Sequence, residues 1–400
     1  MTTFHTLCRS IVPLMLGGVL LALAGCAVVP ERPLVTYTGD PIVDGNAELN
    51  AALAKDRVLW QYRIAATAIR LGRFDESDRQ LDSALPLIGG LLASSADAKK
   101  ARSLFSSEST KTFIGEPYER VMAYYYRAVG YWRDGQPDNA RACYRSGQLI
   151  DSDAEAAKFK SDYVLLDYLD GYATAKLGGD GSEAFGRAQK NFKRKLPPYD
   201  VQANVLVFAE YGRGPRKYAG GQYGEQLKFM TDDSPAHSAK LTVGERTVAL
   251  PPYDDLHFQA TTRGGRVMDH ILGNKAVFKN TTQSVGDVAL AGAAVAANNI
   301  RRVDGKTSDN AAAAALILGA IGIGSKVLSA ATTPHADTRT WDNLPQRLSF
   351  AALRLSPGEH PATLEFFDKS GKRIERLTRQ LTLSVRPEGD SVIFLSELKR

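Results

Sequence analysis

Cysteine is nearly absent: the 400 residues hold three, at positions 8, 26 and 143. That scarcity excludes a disulfide-stapled fold, since two bridges already need four cysteines. Metal-site spacing is missing too, because none of the six histidines has another histidine, a cysteine or an acid placed to share an ion. His335 before Asp337, and His257 after Asp254 and Asp255, come nearest, and both read as solvated loop residues. Charge of one sign is not concentrated anywhere. Lys and Arg number 50 against 44 Asp and Glu, and the densest basic group, Lys190, Lys193, Arg194 and Lys195, falls at a helix end, where cations offset the dipole. A nucleic-acid partner is therefore not expected.

Long hydrophobic runs are also rare, and the longest stands at the start. Arg9 precedes an apolar stretch from Ile11 to Ala24, shorter than the about 20 residues of a spanning helix, which predicts a signal peptide over residues 1–25. Its end, Leu23-Ala24-Gly25-Cys26, resembles the lipobox of bacterial lipoproteins. The resemblance implies diacylglycerol and N-acyl groups on Cys26 as the sole attached group, with no cofactor besides. Ala27, where inner-membrane retention favours aspartate, implies an outer-membrane anchor facing the periplasm. With Cys8 removed and Cys26 acylated, Cys143 is left alone in an apolar helical stripe and reads as a small buried hydrophobe.

Residues 26–46 are rich in Pro, Thr, Gly and Asp without periodicity, so a flexible tether is predicted. From 47 to 197 apolar residues recur at helical spacing, in pairs of helices broken at Gly72, Gly135 and Gly178. Gly135 suits a left-handed C-terminal cap and Pro137 the first turn of the next helix. Small residues at Ala65, Ala128 and Ala140 give this half a resemblance to tetratricopeptide repeats, although the turn glycines do not keep a 34-residue period. A helix-rich insertion around Ala96 to Phe105 would account for the longer first interval. Such repeats stack into surfaces that bind proteins. On that reading Tyr118, Glu119, Tyr124 and Trp132 are the candidate partner-binding residues.

After Pro197-Pro198 the pattern changes to a β-rich region over 198–400. Val205 to Ala209, Gln226 to Met230, Thr247 to Leu250 and Val267 read as short strands. Residues 346–396 read as a meander of antiparallel strands, part of a sandwich. Alanine-rich helices are expected between, over about 284–331. The fold class expected is α+β: an all-α helical-repeat domain, then this β-rich domain.

Catalytic motifs fail on inspection. Gly319 to Lys326 mimics a phosphate-binding loop but ends Gly-Ser-Lys, placing the lysine one residue late. Ser308-Asp309-Asn310 lacks the Ser-x-x-Lys and Lys-Thr-Gly that penicillin-recognising enzymes carry with it, and no Gly-x-Ser-x-Gly elbow occurs. Asp337, Arg339 and Trp341 are read as a structural corner, an Asp to Arg pair stacked on the indole.

Several stretches taken in order carry a wider resemblance: Phe113-Ile-Gly-Glu-Pro-Tyr118-Glu119-Arg-Val, Val205-Leu-Val-Phe-Ala-Glu210-Tyr-Gly212, Ala249-Leu-Pro-Pro-Tyr253, Ala336-Asp-Thr-Arg339-Thr-Trp341 and Leu355-Ser-Pro-Gly358. Together they resemble a family of uncharacterised bacterial lipoproteins with a helical-repeat first half and a β-rich second half. The expectation is a non-enzymatic adaptor that holds an envelope protein. Two alternatives stand beside it: a peptidoglycan or glycan enzyme using Glu210 or Asp254 and Asp255 as acid and base, and a self-assembling envelope component.

Overall fold

A computed structural model describes residues 33–89, 108–152, 157–232, 234–262 and 334–398, with isolated positions between 279 and 332. The signal segment, Cys26, the insertion near 96–105, Val267 and nearly all of the alanine-rich segments lie outside the described residues.

Helix α1 (Pro41–Ala51) begins inside the stretch read as tether. The reason is local: the Asp40 carboxylate accepts the amides of Ile42 and Val43 at 2.8 and 3.2 Å, and Pro41 occupies the first turn. Three helical pairs follow: α2 (Arg57–Arg70) with α3 (Phe74–Gly89), α4 (Pro117–Arg133) with α5 (Pro137–Asp151), and α6 (Val164–Lys176) with α7 (Ser182–Asn191). Each pair turns on the expected glycine. Gly72, Gly135 and Gly178 have φ of 72°, 72° and 81°, the left-handed region that a side chain disfavours.

The β-rich region is mixed rather than a simple meander. Its strands are β1 (Val205–Arg213), β2 (Arg216–Gly220), β3 (Gln226–Met230), β4 (Ser238–Val243), β5 (Arg246–Leu250), β6 (Asp254–Asp255), β7 (Pro345–Leu353), β8 (Gly358–Phe367), β9 (Arg379–Val385) and β10 (Ser391–Ser396). A short helix, α8 (Leu256–Thr261), follows β6. One sheet has the order β10-β1-β7-β6, a second β5-β4-β8-β9, and β2 and β3 form a hairpin. The terminal strands therefore divide between two sheets, and β10 runs parallel to β1. The physical cause is β1 itself. Its run from Val205 to Gly212 is buried on both faces, which makes it a central strand needing a neighbour on each side.

The two faces of β1 build two cores. Val205, Val207, Ala209 and Tyr211 pack against Leu241, Leu364, Phe366 and Leu383 of the second sheet, giving the sandwich. Leu206 and Phe208 point the other way, into a core shared with α2, α4 and α6. In register, Phe208 lies between Phe350 of β7 and Phe394 of β10, an aromatic row across three strands. The layers are thus helices, first sheet, second sheet. The described residues from Tyr37 onward form one compact unit, with the helical region and the β-rich region sharing that middle core.

Candidate functional site

The inner face of a helical-repeat array is where a bound segment is expected to lie. In this chain the corresponding face of the helical region, formed by α2, α4 and α6, meets the chain's own sheet. Tyr125 of α4 packs edge-on to Phe208 with centroids 6.3 Å apart, Tyr126 packs on Phe394 at 6.0 Å, and Tyr168 and Tyr172 of α6 meet Phe350 at 6.1 and 5.7 Å. Among the described residues, this places α2, α4 and α6 as an inner layer, with α3, α5 and α7 outside it.

Three of the four residues expected to face a partner lie in that junction. Tyr118, Glu119 and Trp132 are buried, and Tyr124 is partly so. Helix α4 is covered on almost every side, burying Glu119, Arg120 and Arg127 along with its aromatic residues, because it touches helices laterally and the sheet below, so those aromatic residues report core, not docking surface. Tyr118 meets Phe229 of β3 edge-on at 5.9 Å. The Trp132 indole donates to Asp390 at 3.0 Å, and Lys176 of α6 donates to the same carboxylate at 2.6 Å.

Glu119 is the hub of one buried polar node. It accepts from the Trp341 amide at 2.8 Å, the Glu116 amide at 2.7 Å and the Lys217 ammonium of β2 at 2.5 Å. Burial pushes its carboxyl above the ordinary range, against the pull of Lys217. A second node joins α2, α4, β1 and β10. Glu210 is completely buried and accepts from Arg70 at 2.5 Å, Tyr126 at 2.6 Å and Ser396 at 2.7 Å. Both nodes tie helix to strand, and each supplies a charged group with opposite charge and hydrogen bonds, as burial demands.

The corner after residue 336 is built differently from expectation. Asp337 and Arg339 do pair, at 2.6 Å, and Arg339 also reaches Asp56 at 2.7 Å and the carbonyls of Lys55 and Lys111. Its guanidinium, however, lies beside the Phe113 ring, 5.4 Å from the centroid, not on the indole. Trp341 is instead buried and stacked on Tyr62 at 4.4 Å, with Tyr126 edge-on at 5.9 Å. The indole is already covered by Tyr62 and Tyr126, and the guanidinium packs over Phe113 instead.

The acids considered for catalysis are engaged internally. Besides Glu210, Asp254 of β6 accepts the amides of Val164 and Leu165 at 2.8 and 2.9 Å, capping α6 from across the chain. Burial pushes Asp254 up to about 7 although both amides pull it down. Asp255 caps α8 through the His257 amide at 2.8 Å and accepts from Gln346 at 3.1 Å. Cys143 is buried, which pushes its thiol up to about 12 and leaves it a poor nucleophile. Among the described residues no group of three or more His, Cys, Asp or Glu could hold a metal ion, and no helix is long and apolar enough to cross a membrane.

Comparison with family models, curated proteins and solved structures finds no match. One open groove, of about 250 Å³, lies between α1 and α2 and is lined by Tyr37, Glu48, Trp60, Arg63, Ile64 and Thr67. Its charged walls are already engaged: Tyr37 bonds Glu48, and Arg63 bonds Asp342 at 2.9 Å and the Thr340 carbonyl at 3.0 Å.

Asp254 gives a pH dependence with a definite sign. Its folded value, about 7, exceeds the 3.8 of an ordinary aspartate, so between those values the folded state holds more protons than the unfolded one. Stability from this group is then full below about pH 4 and falls as pH rises towards 7. In Asp254→Asn, urea titrations across that window should show a slope less negative by up to about 1.4 kcal/mol per pH unit. An unchanged slope contradicts the assignment.

Proposed function

We propose that this chain is a lipid-anchored envelope lipoprotein that acts as a non-enzymatic protein adaptor, and that its partner docks on the outer layer of helices. The observation that carries this reading is the filled inner face. Aromatic residues of α4 and α6 already bind the row Phe350, Phe208, Phe394, so an incoming segment would have to displace the sheet. The outer helices α3, α5 and α7 keep their polar faces in solvent. Engagement of Glu210 and Asp254 by internal donors favours binding over glycan hydrolysis, because an acid and base need access to substrate.

Anchoring rests on the lipobox-like Leu23-Ala24-Gly25-Cys26, and Ala27 supports outer-membrane sorting. Two or more acyl chains suffice for stable attachment. Family membership among lipoproteins with a helical first half and β-rich second half belongs to the same proposal.

Two measurements test it. Metabolic labelling with palmitate should mark the native chain in the membrane fraction, and Cys26→Ser should abolish the label; equal labelling of both would remove the anchor. Crosslinking in cells with affinity capture should then retain one envelope protein from the anchored form only. Capture of glycan fragments, or of other copies of this chain alone, would replace the adaptor with a peptidoglycan binder or a self-assembling component.

A further inference from the structure

On α5, Arg141, Arg145 and Leu149 follow at four-residue spacing and so share one face of an outer helix. The two arginine side chains are 32% and 59% exposed, and Leu149 is 74% exposed, among the most open large apolar residues described. Both guanidiniums use the same atom inward. Arg141 Nε and Arg145 Nε donate to Asp170 Oδ1 at 3.0 and 3.1 Å, and Asp170, on α6, is itself buried. Arg187 of α7 closes the other side through Asp167 at 3.1 Å and Asp170 at 3.4 Å.

This arrangement leaves something over. The terminal Nη1 and Nη2 groups of Arg141 and Arg145 have no protein acceptor among the described residues, while their orientation is set by the buried carboxylate behind them. A guanidinium presents its donors as a planar fork that matches a carboxylate with two parallel hydrogen bonds. Forks already held in place lose less freedom on binding.

We propose that Arg141 and Arg145 form a carboxylate-recognition site for an acidic protein segment, with Leu149 as its apolar neighbour. The site rests on the adaptor reading and names the chemistry of its partner. A protein segment suits it better than a membrane surface, because a single exposed leucine offers little insertion, whereas two oriented forks recognise discrete carboxylates.

The test uses the full-length chain in a neutral detergent and fluorescein-labelled hexaglutamate as probe, read by anisotropy at low salt. Arg145→Gln should weaken binding about tenfold, since a charge-assisted pair is lost. Arg145→Lys should recover only part of it, and Lys195→Gln, which removes the same charge elsewhere, should change affinity less than about twofold. Arg141 and Arg187 still hold Asp170 in Arg145→Gln, and a melting curve confirms the fold. Equal loss in Arg145→Gln and Lys195→Gln, or no binding at all, overturns the proposal. So does a loss confined to phosphatidylglycerol vesicles with the peptide unaffected, which would assign the arginines to a membrane surface. The titration does not require the lipid, so it can succeed or fail independently of cellular capture.

Discussion

Glu210→Gln should unfold in urea with about 3–5 kcal/mol less free energy than the parent, the cost of leaving a buried charge without its partner. Arg70 has a side chain only 1% exposed. Burial works against its charge, and the Glu210 carboxylate together with Tyr126 outweighs that and keeps the guanidinium above its usual range. Glutamine preserves the shape and can still accept from Tyr126 or Ser396, so the loss isolates the charge. Replacing both members by Met and Leu should restore most of the stability, since well-packed apolar pairs often match a buried ion pair. The dependence on denaturant should stay constant in all three proteins. A loss below about 1 kcal/mol in the single variant would mean that water reaches Arg70, and the node would not be the tie described.

The features readable from sequence were those with local causes. Gly72, Gly135 and Gly178 punctuate helices because a left-handed residue must end each one, and that need is met within four residues of chain. The pair Asp337 and Arg339 was legible for the same reason, being two residues apart. Val205 to Ala209 reads as a strand from its β-branched and aromatic residues, and the structure adds that both of its faces are buried. What no local pattern carried was the identity of its neighbours: β10 comes from the last residues of the chain and β7 from the middle of the β-rich region.

The stacking of Trp341 on Tyr62 joins residues far apart along the chain, and no local pattern carries it for the same reason. Two local signals do bear on the observed structure. Asp40-Pro41 is a helix start in itself, and it opens α1 where a tether was expected. Glu119 stands among Pro117, Tyr118, Val121 and Met122, and an acid in such company signals a buried partner rather than an exposed contact. Assigning Tyr118, Glu119, Tyr124 and Trp132 to a partner overlooks that α4 is covered on nearly every side.

The sheet completes the helical region by filling its inner face. Separating the two should therefore be ruinous for the helices. A fragment of residues 37–197 would expose Tyr125, Tyr126, Trp132 and Tyr172, now buried, and would strip Glu119 of Lys217 and Arg70 of Glu210. Each large side chain returned to water forfeits about 1.5–3 kcal/mol, so a few of them match the whole net stability of an ordinary domain. The decisive measurement is thermal unfolding of that fragment by circular dichroism, with its amide NMR spectrum, beside the full-length chain. The fragment should show no cooperative transition and poorly dispersed amides, against a single sharp transition for the whole chain. A fragment that melts cooperatively with a dispersed spectrum would contradict it, and would return the inner face of the helices to the list of surfaces open to a partner.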